Sequence, residues 1–308
     1  MVEDPPLLRR ADALADGFSD VELSRLVRRR ELVRVQRGTY VRSPATLPED
    51  AAVRHRLITA ATVAELRRPG VVSHASAAAL HGLPLWGVRL ERVHVLRRPP
   101  AAGSGSARLH LHIGRFDDQQ LTSVDGIVTT DVTRTVVDVA RSESFESAVV
   151  TADAALASRR TTPAALAQCL TSMGAIPGSR RAGRVLAFAD AASESVGESR
   201  SRVLMHRLRL PPPDLQVRVR RPDGSLIGRC DFGWRTQRVL GEFDGKVKYG
   251  RLHAPGQNAG DVVFEEKRRE DELRDLDWSV ARWTWADLVP GTVVEQRLRR
   301  ALARNRPR

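Results

Sequence analysis

Val239-Leu240-Gly241-Glu242-Phe243 limits what this chain can fold into more than any other stretch, because it is an apolar run with one carboxylate inside it. A run this short and apolar reads as a buried strand. A carboxylate carried into an interior needs a partner, since burying an unpaired charge costs several kcal/mol or forces its protonation. Asp244, two residues on, shares the strand face of Glu242 at about 6–7 Å. Upstream, Leu226 to Trp234 alternates, which predicts Cys230, Phe232 and Trp234 on one face and Asp231 on the other. Two strands that each carry a carboxylate offer the oxygen donors that Mg2+ prefers, with water and a phosphate completing an octahedron. Asp231 and Glu242 are therefore the expected ligands of Mg2+ or Mn2+. Such an ion polarises a phosphoryl oxygen and generates a nucleophile for in-line attack on a phosphodiester.

The neighbouring sequence adds a cation and a further acid. Of the 50 basic residues, all but Lys246, Lys248 and Lys267 are arginine. A compact ammonium and a planar guanidinium are not equivalent where a phosphate is handled. Lys246 completes Asp244-Gly245-Lys246, a D-x-K triplet, and Lys248 follows two residues later; Asp-Gly is equally the favoured dipeptide of a tight hairpin turn and needs no chemistry there. Glu198, on a predicted helix before the strands, reads as an outer metal ligand reached through water, or as the surface partner of Arg202 in an i, i+4 pair worth about 0.2–0.5 kcal/mol. The charged run from Glu265 to Leu276 reads as a helix anchored by Leu273 and Leu276, with Lys267, Arg268 and Arg269 either gripping phosphate or, for most of them, paired to Glu265, Glu266, Glu270 and Asp271 on a solvated face. Trp278, Trp283 and Trp285 are expected to pack the last strand into the core.

The N-terminal segment has a different character. Leu7, Leu8, Ala11, Leu14 and Ala15 recur at helical spacing up to Gly17. A second helix begins at Ser19, with Glu22 three residues on as the partner of a capping box and Phe18 and Leu23 placed as a hydrophobic staple. Val33 to Val41 alternates around Gly38, a hairpin signature. Two short helices followed by a basic hairpin describe a winged helix-turn-helix, with Asp20 to Arg30 as the helix able to enter a major groove. Residues 25 to 42 hold seven arginines and one acid. Arg25, Arg28, Arg29, Arg34 and Arg37 are the expected DNA contacts, mostly to phosphates. The formal charge of +13 fits a polyanionic partner.

The middle of the chain reads as mixed α and β, with helices over residues 51–66, 75–81, 131–141 and 145–156 and strands over 92–96, 109–113 and 126–130. His110 and His112 share a strand face without a third ligand at useful spacing, so a plain surface strand is expected there. Ser73-His74 is not read as a nucleophile and base, because adjacent side chains seldom face each other. Two cysteines, Cys169 and Cys230, are too few for a disulfide framework or a cysteine zinc site. No run approaches the 18 or so apolar residues of a membrane span, so a cytoplasmic protein with no membrane partner is expected.

Two family resemblances add to this reading. Gly17-Phe18-Ser19, Arg37 to Val41, Val72-Ser73-His74-Ala75-Ser76-Ala77-Ala78, Leu80 to Leu83, Gly126 to Thr130, Arg134 to Asp138 and Ala154-Ala155-Leu156 resemble the AbiEi antitoxins, the autoregulatory repressors of type IV toxin-antitoxin systems. Arg30 departs from the glycine that usually ends the helix in such proteins. Gly197 to Arg200, Arg229 to Phe232, Gly241 to Gly245, Lys267 to Leu273 and Val280 to Trp283 resemble the very-short-patch-repair-like branch of the PD-(D/E)XK restriction-endonuclease superfamily. That resemblance implies a metal-dependent nuclease in which Asp244 stands at the usual lysine position and Lys248 replaces a histidine. The expected architecture is α+β or α/β multidomain: a winged helix-turn-helix over residues 1–43, an AbiEi-like mixed α/β domain over 49–173, and a restriction-endonuclease-like αβββαβ core over 184–304. The expected function is a Mg2+- or Mn2+-dependent DNA endonuclease or nicking enzyme, acting through Asp231, Glu242, Asp244, Lys246 or Lys248, and Glu198. The alternative is a DNA-binding regulator or antitoxin, partnered by a toxin or its operator, with an inactive nuclease-like domain.

Overall fold

The computed structural model describes residues 7–36, 38–42, 50–100, 106–245 and 259–304. The chain is a mixed α/β protein of two compact units, one ending at Ala189 and the next beginning at Asp190.

The first unit starts with β1 (Leu7–Arg9), α1 (Arg10–Ala15), α2 (Asp20–Arg28), β2 (Leu32–Gln36) and β3 (Thr39–Arg42). Leu7 and Leu8 are not helical as their spacing predicts. They pair antiparallel with Val41 and Tyr40 at the edge of a sheet ordered β1-β3-β2. A helix of two or three turns is marginal alone, and the ladder satisfies these backbone groups instead. The capping box forms as expected: Ser19 Oγ accepts from Glu22 N at 3.2 Å and Glu22 Oε2 accepts from Ser19 N at 2.8 Å. Phe18 packs against the cluster of Ala13, Leu23, Leu32 and Tyr40. Beyond α2, Arg30 takes φ +60, a left-handed conformation that costs a non-glycine residue roughly 1–2 kcal/mol.

The unit continues through α3 (Ala51–Ala64), β4 (Val71–Val72), α4 (His74–Leu80), β5 (Val93–Arg97), β6 (Leu109–Ile113), β7 (Leu121–Val124), β8 (Ile127–Thr130), α5 (Val132–Ser142), α6 (Phe145–Ala157), α7 (Pro163–Ser172) and α8 (Ser179–Phe188). Its five-stranded sheet is ordered β6-β5-β4-β8-β7, with the β4–β8 and β5–β6 pairs parallel. Every residue of α4 is buried; a helix this poor in bulky side chains can be surrounded on all sides. Helix α8 belongs to this unit, so the break falls at 189/190 rather than at 184.

The second unit contains α9 (Val196–Arg207), β9 (Asp214–Arg220), β10 (Leu226–Trp234), β11 (Val239–Asp244), α10 (Ala259–Asp275), β12 (Ser279–Thr284) and α11 (Thr292–Arg304). Its sheet is ordered β12-β11-β10-β9, antiparallel except for β11–β12, whose parallel pairing is made by the α10 crossover. Phe232, Trp234, Val239 and Trp283 form one core with Leu204 and Leu298, and Val217, Cys230 and Leu240 form another with Leu273. Cys230 therefore does not share a face with Phe232 and Trp234 as strict alternation predicts. Cys230 pairs with Val217 and Phe232 with Leu215, and between them Gln216 takes φ +52; a backbone irregularity of this kind re-aims neighbouring side chains. Gly197 lets α9 approach β11, since a Cβ there would lie 1.9 Å from Phe243 Cε1.

Candidate functional site

In the second unit the antiparallel register sets Phe232 opposite Gly241, so Asp231 and Glu242 are the next pair along the two strands. Asp231 Oδ2 accepts a hydrogen bond from the Phe243 backbone N–H at 2.8 Å. Burial pushes the Asp231 carboxyl up to about 6, the charges of Glu198 and Glu242 push the same way, and the Phe243 hydrogen bond only partly opposes them. Glu242 has the opposite balance. Burial would raise its pKa, but hydrogen bonds from Arg282 and Arg269 and the charge of Arg269 hold it below the usual carboxylate range.

The contacts explain the difference. Arg269 Nη2 donates to Glu242 Oε1 at 2.5 Å, and Arg282 Nε donates to Glu242 Oε2 at 2.8 Å. Arg282 is the register partner of Glu242 across the parallel β11–β12 pair, and its Nη1 also donates to Glu270 at 2.8 Å. Arg269 comes from α10 and reaches Cys230 Sγ as well, at 3.3 Å. The partner that the apolar strand requires is thus present as two guanidiniums. The sequence offers Arg269 as a phosphate grip or a partner of acids on its own helix, and Arg282 as one residue of a motif, so neither reading reaches Glu242. Arg282 had a readable signal in the match of an acid on one parallel strand with a base on the next.

Glu198 is buried in the first turn of α9, whose N-cap is Ser195. Its Oε1 accepts from Ser195 Oγ at 2.7 Å, and its Oε2 accepts from Glu194 N and Gln216 Nε2, both at 2.9 Å. Ser195-x-x-Glu198 carries the spacing of a capping box, and the Ser195 half forms, Ser195 Oγ accepting from Glu198 N at 3.2 Å, while the Glu198 carboxylate takes Glu194 N in place of the Ser195 N–H. Asp244 ends β11, exposed. Lys246 and Lys248 lie outside the described residues. Among the described residues, Asp231, Glu242 and Glu198 do not bring three ligand atoms within 4.8 Å of one another. With each Glu242 oxygen on a guanidinium, the acidic set does not fit a Mg2+ or Mn2+ ion without rearrangement.

In the first unit, Arg25, Arg28 and Arg29 on or just after α2 and Arg34 on β2 are all exposed. Arg28 Nε reaches Ser24 O at 3.4 Å, and Arg29 lies 4.0 Å from Glu31. The cap at Ser19 and the paired Arg10 and Asp20, 2.5 Å apart, fix the start of the helix that carries them. Arg37 lies outside the described residues.

The histidines of this unit also come together. His112 finds a partner that strand spacing alone does not reveal: its Nε2 lies 3.0 Å from Nδ1 of His94 on β5, and its ring stacks on His74 at 3.7 Å between centroids. Burial lowers His94 to about 3 and His112 to about 4 and takes His74 well below its ordinary value. Ser73 and His74, read from sequence as facing apart, are hydrogen-bonded, Oγ to Nδ1, at 2.9 Å. Both cysteines are buried.

No family model matches the chain. Two relatives from Mycobacterium tuberculosis, the uncharacterized protein MT2308 of strain CDC 1551 / Oshkosh and the uncharacterized protein Rv2248 of strain ATCC 25618 / H37Rv, are each 28% identical over 217 residues, spanning 64% of this chain and 77% of the relative. The crystal structure of the RV2827C protein from Mycobacterium tuberculosis aligns with a TM-score of 0.40 at 15% identity, over 71% of this chain and 85% of that one.

Proposed function

We propose that the chain is a DNA-binding regulator of the antitoxin class, in which an N-terminal winged helix-turn-helix grips the duplex and a nuclease-like C-terminal unit is kept as a scaffold rather than a catalyst. The observation that carries this reading is the pair of guanidiniums on Glu242, 2.5 and 2.8 Å from its two oxygens. The pair is only half-buried, but stripping a partner from a hydrogen-bonded charge still leaves the other charge poorly satisfied. A metal arriving at Glu242 faces the same cost, having to displace two positive charges from a carboxylate they already satisfy.

DNA binding rests on the capped helix α2 and the exposed arginines it shares with β2. The order β1, α1, α2, β2, β3, with β1 beside β3, supports the winged arrangement in which the hairpin flanks the helix. The order α9, β9, β10, β11, α10, β12 supports the nuclease-like reading of the second unit. One observation favours a cutting enzyme instead: burial, aided by the charges of Glu198 and Glu242, pushes Asp231 up to about 6, and perturbed carboxyls of this kind cluster at active sites.

The test of the binding reading is the salt dependence of affinity for duplex DNA. Each lost phosphate contact should reduce the slope of log K against log salt by about 0.9. Replacing Arg28, Arg29 and Arg34 by Gln is expected to flatten the slope accordingly. An unchanged slope would make these arginines a solvated face and overturn the assignment.

A further inference from the structure

Of the eight histidines in the chain, two in the first unit are satisfied by ordinary partners. His55 Nδ1 donates to Leu90 O at 3.0 Å, which leaves Nε2 to accept from Ser76 Oγ at 2.7 Å. His81 Nε2 donates to Thr130 O at 2.7 Å, and its Nδ1 faces Arg160 Nη2 at 3.2 Å. His74, His94 and His112 face each other instead. They come from three separate elements, α4, β5 and β6, and their ligand nitrogens all lie within 4.8 Å of one another.

The arrangement has the chemistry of a metal centre. Tetrahedral ligation at Zn–N distances of about 2.0–2.1 Å places nitrogens roughly 3.3 Å apart, and the His94–His112 pair is already at 3.0 Å. The Ser73 Oγ contact at 2.9 Å holds the His74 ring through Nδ1, as a second hydrogen-bonding partner orients a ligating imidazole. His74 also takes φ +53 at the first residue of a buried helix, a strained conformation of the kind that clusters at functional sites. His74 and His112 line a cavity of about 620 Å³ together with Arg115, Arg134, Asp138 and Arg141. A metal held by the three rings would have its remaining position toward that cavity, whose Arg134 and Arg141 are themselves held by Asp138.

We propose that His74, His94 and His112 form a three-histidine site for a borderline divalent transition metal of the Zn2+ class, with a fourth position open to the arginine-lined cavity. Imidazole donors without thiolate suit Zn2+ and Co2+ better than Mg2+, the ion expected from sequence at the carboxylates of the second unit.

The test is a titration of the tag-free full chain, stripped with EDTA and dialysed free of it, with Co2+ and then Zn2+. One Co2+ per chain is expected, giving the visible bands of a four-coordinate ion. Stoichiometric Zn2+ should displace it, and azide entering from the cavity should shift the bands. His112→Ala should abolish them and His110→Ala should keep them, with far-UV circular dichroism reporting the fold of each. In the unsubstituted chain, Zn2+ should shift the NMR signals of the His74, His94 and His112 rings and leave His55 and His81 in place, a readout that needs no variant. Absent cobalt bands, bands that survive in His112→Ala, or imidazole signals that do not move would reduce the cluster to stacked, hydrogen-bonded rings. Bands indifferent to azide would overturn the open position.

Discussion

Asp231→Asn removes the charge from a carboxylate whose pKa burial raises, while keeping the oxygen that accepts the Phe243 N–H. The Asp231 carboxyl is raised from 3.8 to about 6, and a shift of that size corresponds to about 3 kcal/mol at 1.36 kcal/mol per unit. The residue is only half-buried, so solvent screening reduces the expected effect to about 1–2 kcal/mol. The sign follows from proton linkage. Between pH 4 and 6 the folded chain binds more protons at this site than the unfolded chain, so wild-type stability falls as pH rises through that window. Asp231→Asn should therefore be more stable than wild type at pH 7.5, with the gap closing near pH 4. Urea unfolding followed by tryptophan fluorescence is the assay, because Trp234, Trp278, Trp283 and Trp285, four of the five tryptophans, lie in the second unit. Excess Mg2+ should leave the gap unchanged. A variant no more stable than wild type at pH 7.5, or a gap of equal size at pH 4, would refute the reasoning; a gap erased by Mg2+ would point to a metal on Asp231.

Three further outcomes are expected. Arg282→Ala leaves Glu242 with one guanidinium fewer and should cost about 1–3 kcal/mol at pH 7. Because the Glu242 pKa is lowered in the fold, its contribution is present above the ordinary carboxylate range and lost as pH falls, so the penalty should shrink in acid unfolding curves. Gly197→Ala gains about 1 kcal/mol of helix propensity but sets a Cβ 1.9 Å from Phe243 Cε1; net destabilisation in urea of about 1–3 kcal/mol is expected, and a stabilised variant would mean that α9 does not press on β11. Ser19→Ala removes the cap of α2 and should cost about 1 kcal/mol in thermal unfolding, with DNA affinity weakened alongside.

Local signals were the most legible. Ser19 and Glu22 announced the α2 cap, and the strand over 109–113 and the helices over 131–141 and 145–156 lie within one residue of the observed elements. Leu7 and Leu8 depart from their helical spacing because so short a periodicity carries little weight against a strand partner some thirty residues away. Cys230 was misplaced because alternation assumes a regular strand, and nothing in Gln216 announces a positive φ. Both candidate sites show the same limit. Glu242 was recognised as a carboxylate in need of compensation, but its partners come from α10 and β12, 27 and 40 residues away. His112 was recognised beside His110, yet its partners lie on other elements, and only the folded sheet and the turn into α4 bring His94 and His74 beside it.

Binding and cleavage can be measured in one reaction, with supercoiled plasmid incubated with the full chain in Mg2+, in Mn2+ and in EDTA, and each mixture divided between a mobility-shift gel and a deproteinised gel. A DNA-binding regulator with its Glu242 held by Arg269 and Arg282 should retard the plasmid in all three conditions and leave it supercoiled after deproteinisation. Relaxed or linear plasmid that appears only with Mg2+ or Mn2+, and is lost in Asp231→Ala while retardation persists, would contradict that reading and establish the nuclease.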